Sequence, residues 1–123
     1  MINFVLDSKA GIPFYRQIID QIKFGIATGR LRIGEQLPTV RALAVELKVN
    51  LNTVSKAYKE LEIQQVLETQ QGTGTFINKI ENVISEKEKQ QKLQGITQDY
   101  LTIALSYGFS KDEIINELNK QKP

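Results

Sequence analysis

Apolar residues recur through the first half of the chain at helical spacing. Tyr15, Ile18, Ile19, Ile22 and Ile26 fall at i, i+3, i+4, i+7 and i+11, one stripe of a single helix. Pro13 suits the start of that helix and Gly29 its end. Asp20, Lys23 and Arg30 then lie off the core face. Leu31 to Leu37 reads as a short connector turning at Gly34, with Leu31, Ile33 and Leu37 tucked inward. Pro38 bars helix from running through, and Thr39 is placed to cap a second helix with its hydroxyl. Val40, Leu43, Ala44 and Leu47 repeat the i, i+3, i+4, i+7 pattern. After Lys48-Val49-Asn50 comes a third stripe: Val54, Ala57, Tyr58 and Leu61. Two short helices so joined, each with one buried face, predict a helix-turn-helix. Many such turns carry glycine where Lys48 stands.

Beyond Gln65 the pattern changes. Residues 66–70 and 75–77 are β-prone and flank Gln71-Gly72-Thr73-Gly74, which predicts a hairpin. Directly after a third helix, that hairpin reads as a wing; a plain edge hairpin without a DNA role is the alternative. Residues 79–94 are polar and mix charge signs from Ser85 to Lys92, which predicts an exposed linker helix. Ile96, Tyr100, Ile103 and Tyr107 then recur at i, i+4, i+7 and i+11, and Gly108 ends that helix. Ser110 and Glu113 have capping-box spacing ahead of Ile114, Ile115 and Leu118 on a final helix. The expected fold is mostly α with a small β-hairpin: a winged helix-turn-helix domain over residues 11–79 and a helical dimerisation tail over 80–123. Such a tail has too little core to stand alone. It docks on a second copy of the chain, giving a homodimer through the C-terminal helices, or packs back on its own N-terminal domain.

Composition narrows the chemistry. The chain has 123 residues, with neither histidine nor cysteine. Disulfides and thiolate metal sites are excluded, and the commonest general base and metal ligand are missing. No constellation of Asp, Glu, Lys or Tyr takes their place, so no enzyme, cofactor or metal site is expected. The short apolar run from Met1 to Leu6 lacks a signal peptide's basic lead, and no stretch approaches the ~20 apolar residues that cross a bilayer. A cytoplasmic protein without a membrane partner is expected.

Net charge is +2, but its distribution is uneven. Between residues 41 and 59, Arg41, Lys48, Lys56 and Lys59 face only Glu46. A phosphate-binding surface needs such a cluster; a solvated helix face is the plain alternative. On the third helix Asn52, Ser55, Lys56 and Lys59 centre opposite the apolar stripe. A helix in the major groove needs that split, one face fixed to the scaffold and the other offering amide, hydroxyl and ammonium groups. Asn52 can bond an adenine bidentately, Lys56 can meet guanine or phosphate, and Lys59, a turn further on, the backbone. Asn50 and Thr53 stand at the helix start, where Asn50 is equally an N-cap. Thr39 and Arg41 stand at the start of the second helix, whose free amides suit a phosphate; a salt bridge from Arg41 to Glu46 is the alternative. Gly72 and Thr73 at the wing tip let backbone approach DNA, though the wing carries no Lys or Arg.

Taken in order, Pro13-Phe14-Tyr15-Arg16-Gln17-Ile18, Gly29-Arg30-Leu31, Gly34-Glu35-Gln36-Leu37-Pro38-Thr39-Val40-Arg41, Val49-Asn50-Leu51-Asn52-Thr53-Val54 and Gly72-Thr73-Gly74-Thr75-Phe76 resemble the N-terminal domain of the GntR family of bacterial transcription regulators. The short tail resembles the YtrA-like subfamily. The resemblance implies a dimeric regulator, usually a repressor, on double-stranded DNA carrying an inverted-repeat operator, often near transporter genes. It implies DNA contacts at Arg41, Asn50, Asn52, Thr53, Ser55 and Gly72. Leu51 stands where many members carry Arg or Pro, and Ser55 where some carry Arg, which leaves base preference open. The competing reading is a winged-helix protein-interaction module. Its weakness is that the Asn52/Ser55/Lys56/Lys59 face lacks the aromatic anchors of a protein hot spot.

Overall fold

The computed structural model describes residues 2–79 and 84–122. The first stripe becomes α1 (Phe14–Ala27), with Pro13 at its N-cap and Gly29 just past its end. There follow β1 (Gln36–Leu37), α2 (Val40–Leu47), α3 (Leu51–Ile63), β2 (Leu67–Gln70), β3 (Gly74–Ile77), α4 (Glu86–Ser106) and α5 (Lys111–Lys120). The chain divides into two compact units between Ser85 and Glu86. No helix among the described residues is long and apolar enough to cross a membrane.

In the first unit the three stripes meet. Ile18, Ile19 and Ile22 of α1, Leu43 and Ala44 of α2, and Val54, Ala57, Tyr58 and Leu61 of α3 form one buried cluster with Leu31, Leu37, Val66, Leu67 and Ile77. Burial of each large aliphatic side chain stabilises by about 1.5–3 kcal/mol, so this cluster fixes α3 on the scaffold. The turn between α2 and α3 closes on Lys48, which adopts a left-handed conformation at φ 58 and ψ 45. Its amide and that of Val49 bond back to Val45 and Ala44, the pairing that usually calls for glycine.

The wing is wider than a hairpin. β1 joins it to give a three-stranded antiparallel sheet in the order β1-β3-β2, with Gln36 opposite Phe76 and Leu67 opposite Ile77. The connector is bonded to the end of β3: Gly34 N donates to Ile77 O at 2.8 Å and Ile77 N to Glu35 O at 2.9 Å. That edge pairing turns Ile33 outward. It is exposed, not tucked inward as its apolar character suggested, while Leu31 and Leu37 are buried.

The unit also reaches further back than residue 11. Ile2 is buried, and Phe4 and Leu6 pack against the core. Two α1 side chains one turn apart hold this extended segment. Gln21 bonds both the amide and the carbonyl of Val5, at 3.0 and 2.7 Å. Gln17 does the same for Asp7, both at 2.9 Å, and also donates to the Ile12 carbonyl. Buried amides need such partners, and Gln17 has them all.

The second unit is a helical hairpin. Where a linker helix over residues 79–94 and a separate apolar helix were expected, one 21-residue helix, α4, runs through. Residues 80–83 of the expected linker lie outside the described residues. Gly95 costs a helix about 1 kcal/mol but does not break this one. α4 ends on Gly108, φ 87, with Phe109 N bonded to Ala104 O and Gly108 N to Leu105 O. Ser110 and Glu113 then form the capping box that starts α5.

Candidate nucleic-acid interface

Each side of α3 has a distinct fate. Val54, Ala57, Tyr58 and Leu61 are buried, whereas Asn52, Ser55, Lys56 and Lys59 are exposed. At about 100° per residue the latter lie across the helix from the core. Ile63 continues this outer stripe and is exposed as well. Thr53 is half-buried on the flank.

The start of α3 is shaped by Asn50. Its Oδ1 accepts from Asn52 N at 2.8 Å, a true N-cap. The cap engages only the side-chain oxygen, so both amide protons on Nδ2 stay available to an acceptor. Thr39 caps α2 in the same way, accepting from Ala42 N at 3.0 Å, and its hydroxyl proton remains free to donate. Arg41, in the first turn of α2, is exposed, and no carboxylate pairs with it among the described residues.

Tyr58, two turns into α3, ties the body of that helix to the start of α2. Its ring is buried in the core and its hydroxyl donates to the Pro38 carbonyl at 2.7 Å, one residue before the α2 cap. Burial, with the nearby Glu46 charge adding to it, pushes the phenol well above its ordinary value, so it stays protonated. Sequence reasoning placed Tyr58 in the core but missed this bond.

Lys56, though exposed, turns its ammonium toward α1. Its Nζ lies 4.0 Å from the centroid of the Tyr15 ring on α1, a cation–π contact. Arg16 lies near the same ring, 5.9 Å from its centroid. Lys59 is exposed.

At the wing tip, Gly72 and Thr73 are exposed. Thr73 N bonds Gln70 O at 2.9 Å, and Gly72 takes the positive φ that this turn requires. The tip is braced from β1, since Gln36 Nε2 donates to the Thr73 carbonyl at 3.1 Å. Gln36 carried no sequence signal, because nothing marks a two-residue strand. The root of the wing is tied to α3 through Thr69 Oγ1, which donates to Glu62 at 2.6 Å.

Thr39 and Arg41 thus stand at the start of α2, and Asn50 and Asn52 at the start of α3. Ser55 and Lys59 extend along the outer face of α3, Lys56 folds back on α1, and Gly72 and Thr73 stand on the wing. Among the described residues no cluster of acidic side chains is arranged to hold a metal ion. The surface offers amides, hydroxyls and cations, the donors that phosphate oxygens and base edges accept.

Known proteins match this arrangement. The sequence pattern of bacterial regulatory proteins of the gntR family matches residues 14–77. The HTH-type transcriptional repressor YtrA of Bacillus subtilis is 47% identical over 73 residues, which cover 59% of this chain and 56% of that relative. The HTH-type transcriptional regulator Rv1152 of Mycobacterium tuberculosis is 34% identical over 92% of this chain and 88% of its own length. Among solved structures, AraR(DBD) in complex with operator ORE1 is similar with a TM-score of 0.51 and 30% identity, over 63% of this chain and 94% of that one.

Proposed function

The chain belongs to the GntR family of bacterial regulatory proteins, with YtrA-like relatives, and from that membership we propose how it works. It is a DNA-binding transcription regulator that acts as a homodimeric repressor on an inverted-repeat operator, its C-terminal helices forming the dimer. The observation that carries the reading is the division of α3. Its apolar face is consumed by the core, and its exposed face is built of Asn52, Ser55 and Lys59 beside Arg41. A protein-interaction module would need an aromatic anchor on that polar face, and the similar AraR(DBD) structure is an operator complex.

In this reading Asn52 and Ser55 meet base edges, with Asn50 and Thr53 at the groove floor. Arg41 and the Thr39 hydroxyl hold one phosphate run and Lys59 another. Lys56 reaches DNA only by leaving the Tyr15 ring. Gly72 and Thr73 present backbone to the minor groove. The tail supports the dimer: Leu93, Ile96, Tyr100, Ile103, Tyr107 and Leu118 are all exposed, apolar surface that a second copy would cover. A two-fold dimer sets its recognition helices about 34 Å apart, one turn of DNA.

The test is binding of the full chain to DNA upstream of its own gene, by fluorescence anisotropy over a salt series. Tight, salt-dependent binding to an inverted repeat by a dimer is expected. Ile103→Glu with Leu118→Glu should yield monomers that bind the same DNA weakly. A protein that sediments as a monomer at micromolar concentration and prefers no sequence would defeat the proposal.

A further inference from the structure

Leu51 opens α3, and its side chain is apolar and 44% exposed. Behind it, Val45 on α2 is 73% exposed. Arg41 and Val45, at i and i+4, share one face of α2, turned away from buried Leu43, and Lys48 follows at the C-cap of that helix. These side chains, with Ala44 and Val49, line an open cleft of about 620 Å³. Its floor is apolar and its polar members are two cations; no carboxylate lines it.

We propose that Leu51, backed by Val45, reads the 5-methyl group of a thymine in the major groove, while Arg41 and Lys48 hold the flanking phosphates. This rests on the DNA-binding reading above and deepens it. The cleft is continuous with the candidate interface through Arg41 and through the Asn50–Asn52 helix start. Its charge suits a polyanion. Thymine alone shows an apolar group in the major groove; the other bases show only donors and acceptors there. A leucine cannot pair with those polar edges and would strip their water without repayment, so it also selects against them. Arginine at this position would bond guanine; the leucine changes the base that is read.

Removal of one methyl group from DNA tests this directly. The full chain is used to select binders from a random duplex library. The selected duplex is then resynthesised with deoxyuridine replacing each thymidine in turn, which deletes only the methyl. One symmetry-related thymine pair is expected at which the change weakens wild-type binding about three- to fivefold per half-site, the worth of one methyl-sized group. Leu51→Ala should bind the thymine duplex correspondingly less well and be indifferent to the change. Leu51→Met should stay sensitive. Circular dichroism establishes that both variants are folded. The proposal is overturned if no deoxyuridine position matters, or if Leu51→Ala feels the change as strongly as wild type. A cleft that serves a protein partner gives the first of these results. Selection that enriches no sequence overturns the DNA-reading premise itself, a separate outcome.

Discussion

The wing provides the sharpest energetic prediction, because two of its glycines face different neighbours. Gly74 sits at φ 142 against the Gln36 side chain, and a Cβ added there would overlap Gln36 Nε2. That amide is the one bonded to Thr73 O at 3.1 Å. Gly74→Ala therefore carries two costs. Holding alanine in that backbone region costs about 1–3 kcal/mol. Pushing the amide away loses one exposed hydrogen bond, about 0.5–1 kcal/mol. The sum is about 1.5–4 kcal/mol. Gln36→Ala alone loses only the bond. In the double variant the methyl has room and the bond is lost once, so the total falls short of additivity by about 0.5–1 kcal/mol. Gly72 is the control. It has φ 81 and nothing within 4 Å of an added Cβ, so Gly72→Ala pays about 1–2 kcal/mol for backbone alone and adds fully to Gln36→Ala. Urea titrations of the three single and two double variants, followed by far-UV circular dichroism, measure these differences as midpoint shifts at constant slope. An additive Gly74/Gln36 cycle would refute the brace between β1 and the wing tip.

Other residues give separable outcomes. Gln65 ends α3 at φ 63, so Gln65→Gly should raise the urea midpoint by about 0.5–1 kcal/mol, relief of left-handed strain outweighing the entropy glycine adds to the unfolded chain. Asn50→Ala should cost about 1 kcal/mol of stability through the lost cap, whereas Asn50→Ser keeps the cap and removes the amide donors; a Ser variant of unchanged stability and weaker DNA binding, compared by urea titration and anisotropy, assigns the amide to readout. Tyr58 holds its proton more tightly folded than unfolded, so its contribution is present below the ordinary tyrosine range near pH ~10 and is lost as pH rises above it. Tyr58→Phe should lose about 1 kcal/mol at neutral pH and show a flatter alkaline limb in thermal melts across pH.

What the sequence made legible were features in which one residue type answers one local need. The stripes of α1, α2 and α3 are buried or packed against the core where their periods placed them, and Thr39, Asn50 and Ser110 cap the helices they precede. The missed features depend on distant partners. β1 exists because residues 34–37 meet β3, and the same pairing turns Ile33 outward. The extended segment from Ile2 to Asp7 is held by side-chain amides of Gln17 and Gln21, which no strand pattern announces. Lys56 looked like a free groove cation because its spacing is correct; Tyr15, 41 positions away in the chain, claims its ammonium. The polar stretch before Leu93 and the apolar one after it read as two helices because their patterns differ; nothing local showed that one helix, α4, runs through both.

The two units divide the work in a way that follows from where each spends its apolar surface. The reading unit buries every large residue of its three helical stripes or packs it against the core, so its fold needs no second chain. The tail buries none of its helical residues fully. On the dimeric reading proposed above, association and operator binding are then one linked equilibrium. Joining two half-site readers converts the second contact into an intramolecular event at an effective concentration near the millimolar range. On that reading contacts at Leu51 and Asn52 decide which sequence is bound, whereas the tail decides at what protein concentration any sequence is held. A change confined to Ile103 or Leu118 should therefore shift the whole binding curve and leave the ratio between cognate and altered operators intact. A change at Leu51 should alter that ratio and leave the oligomeric state untouched.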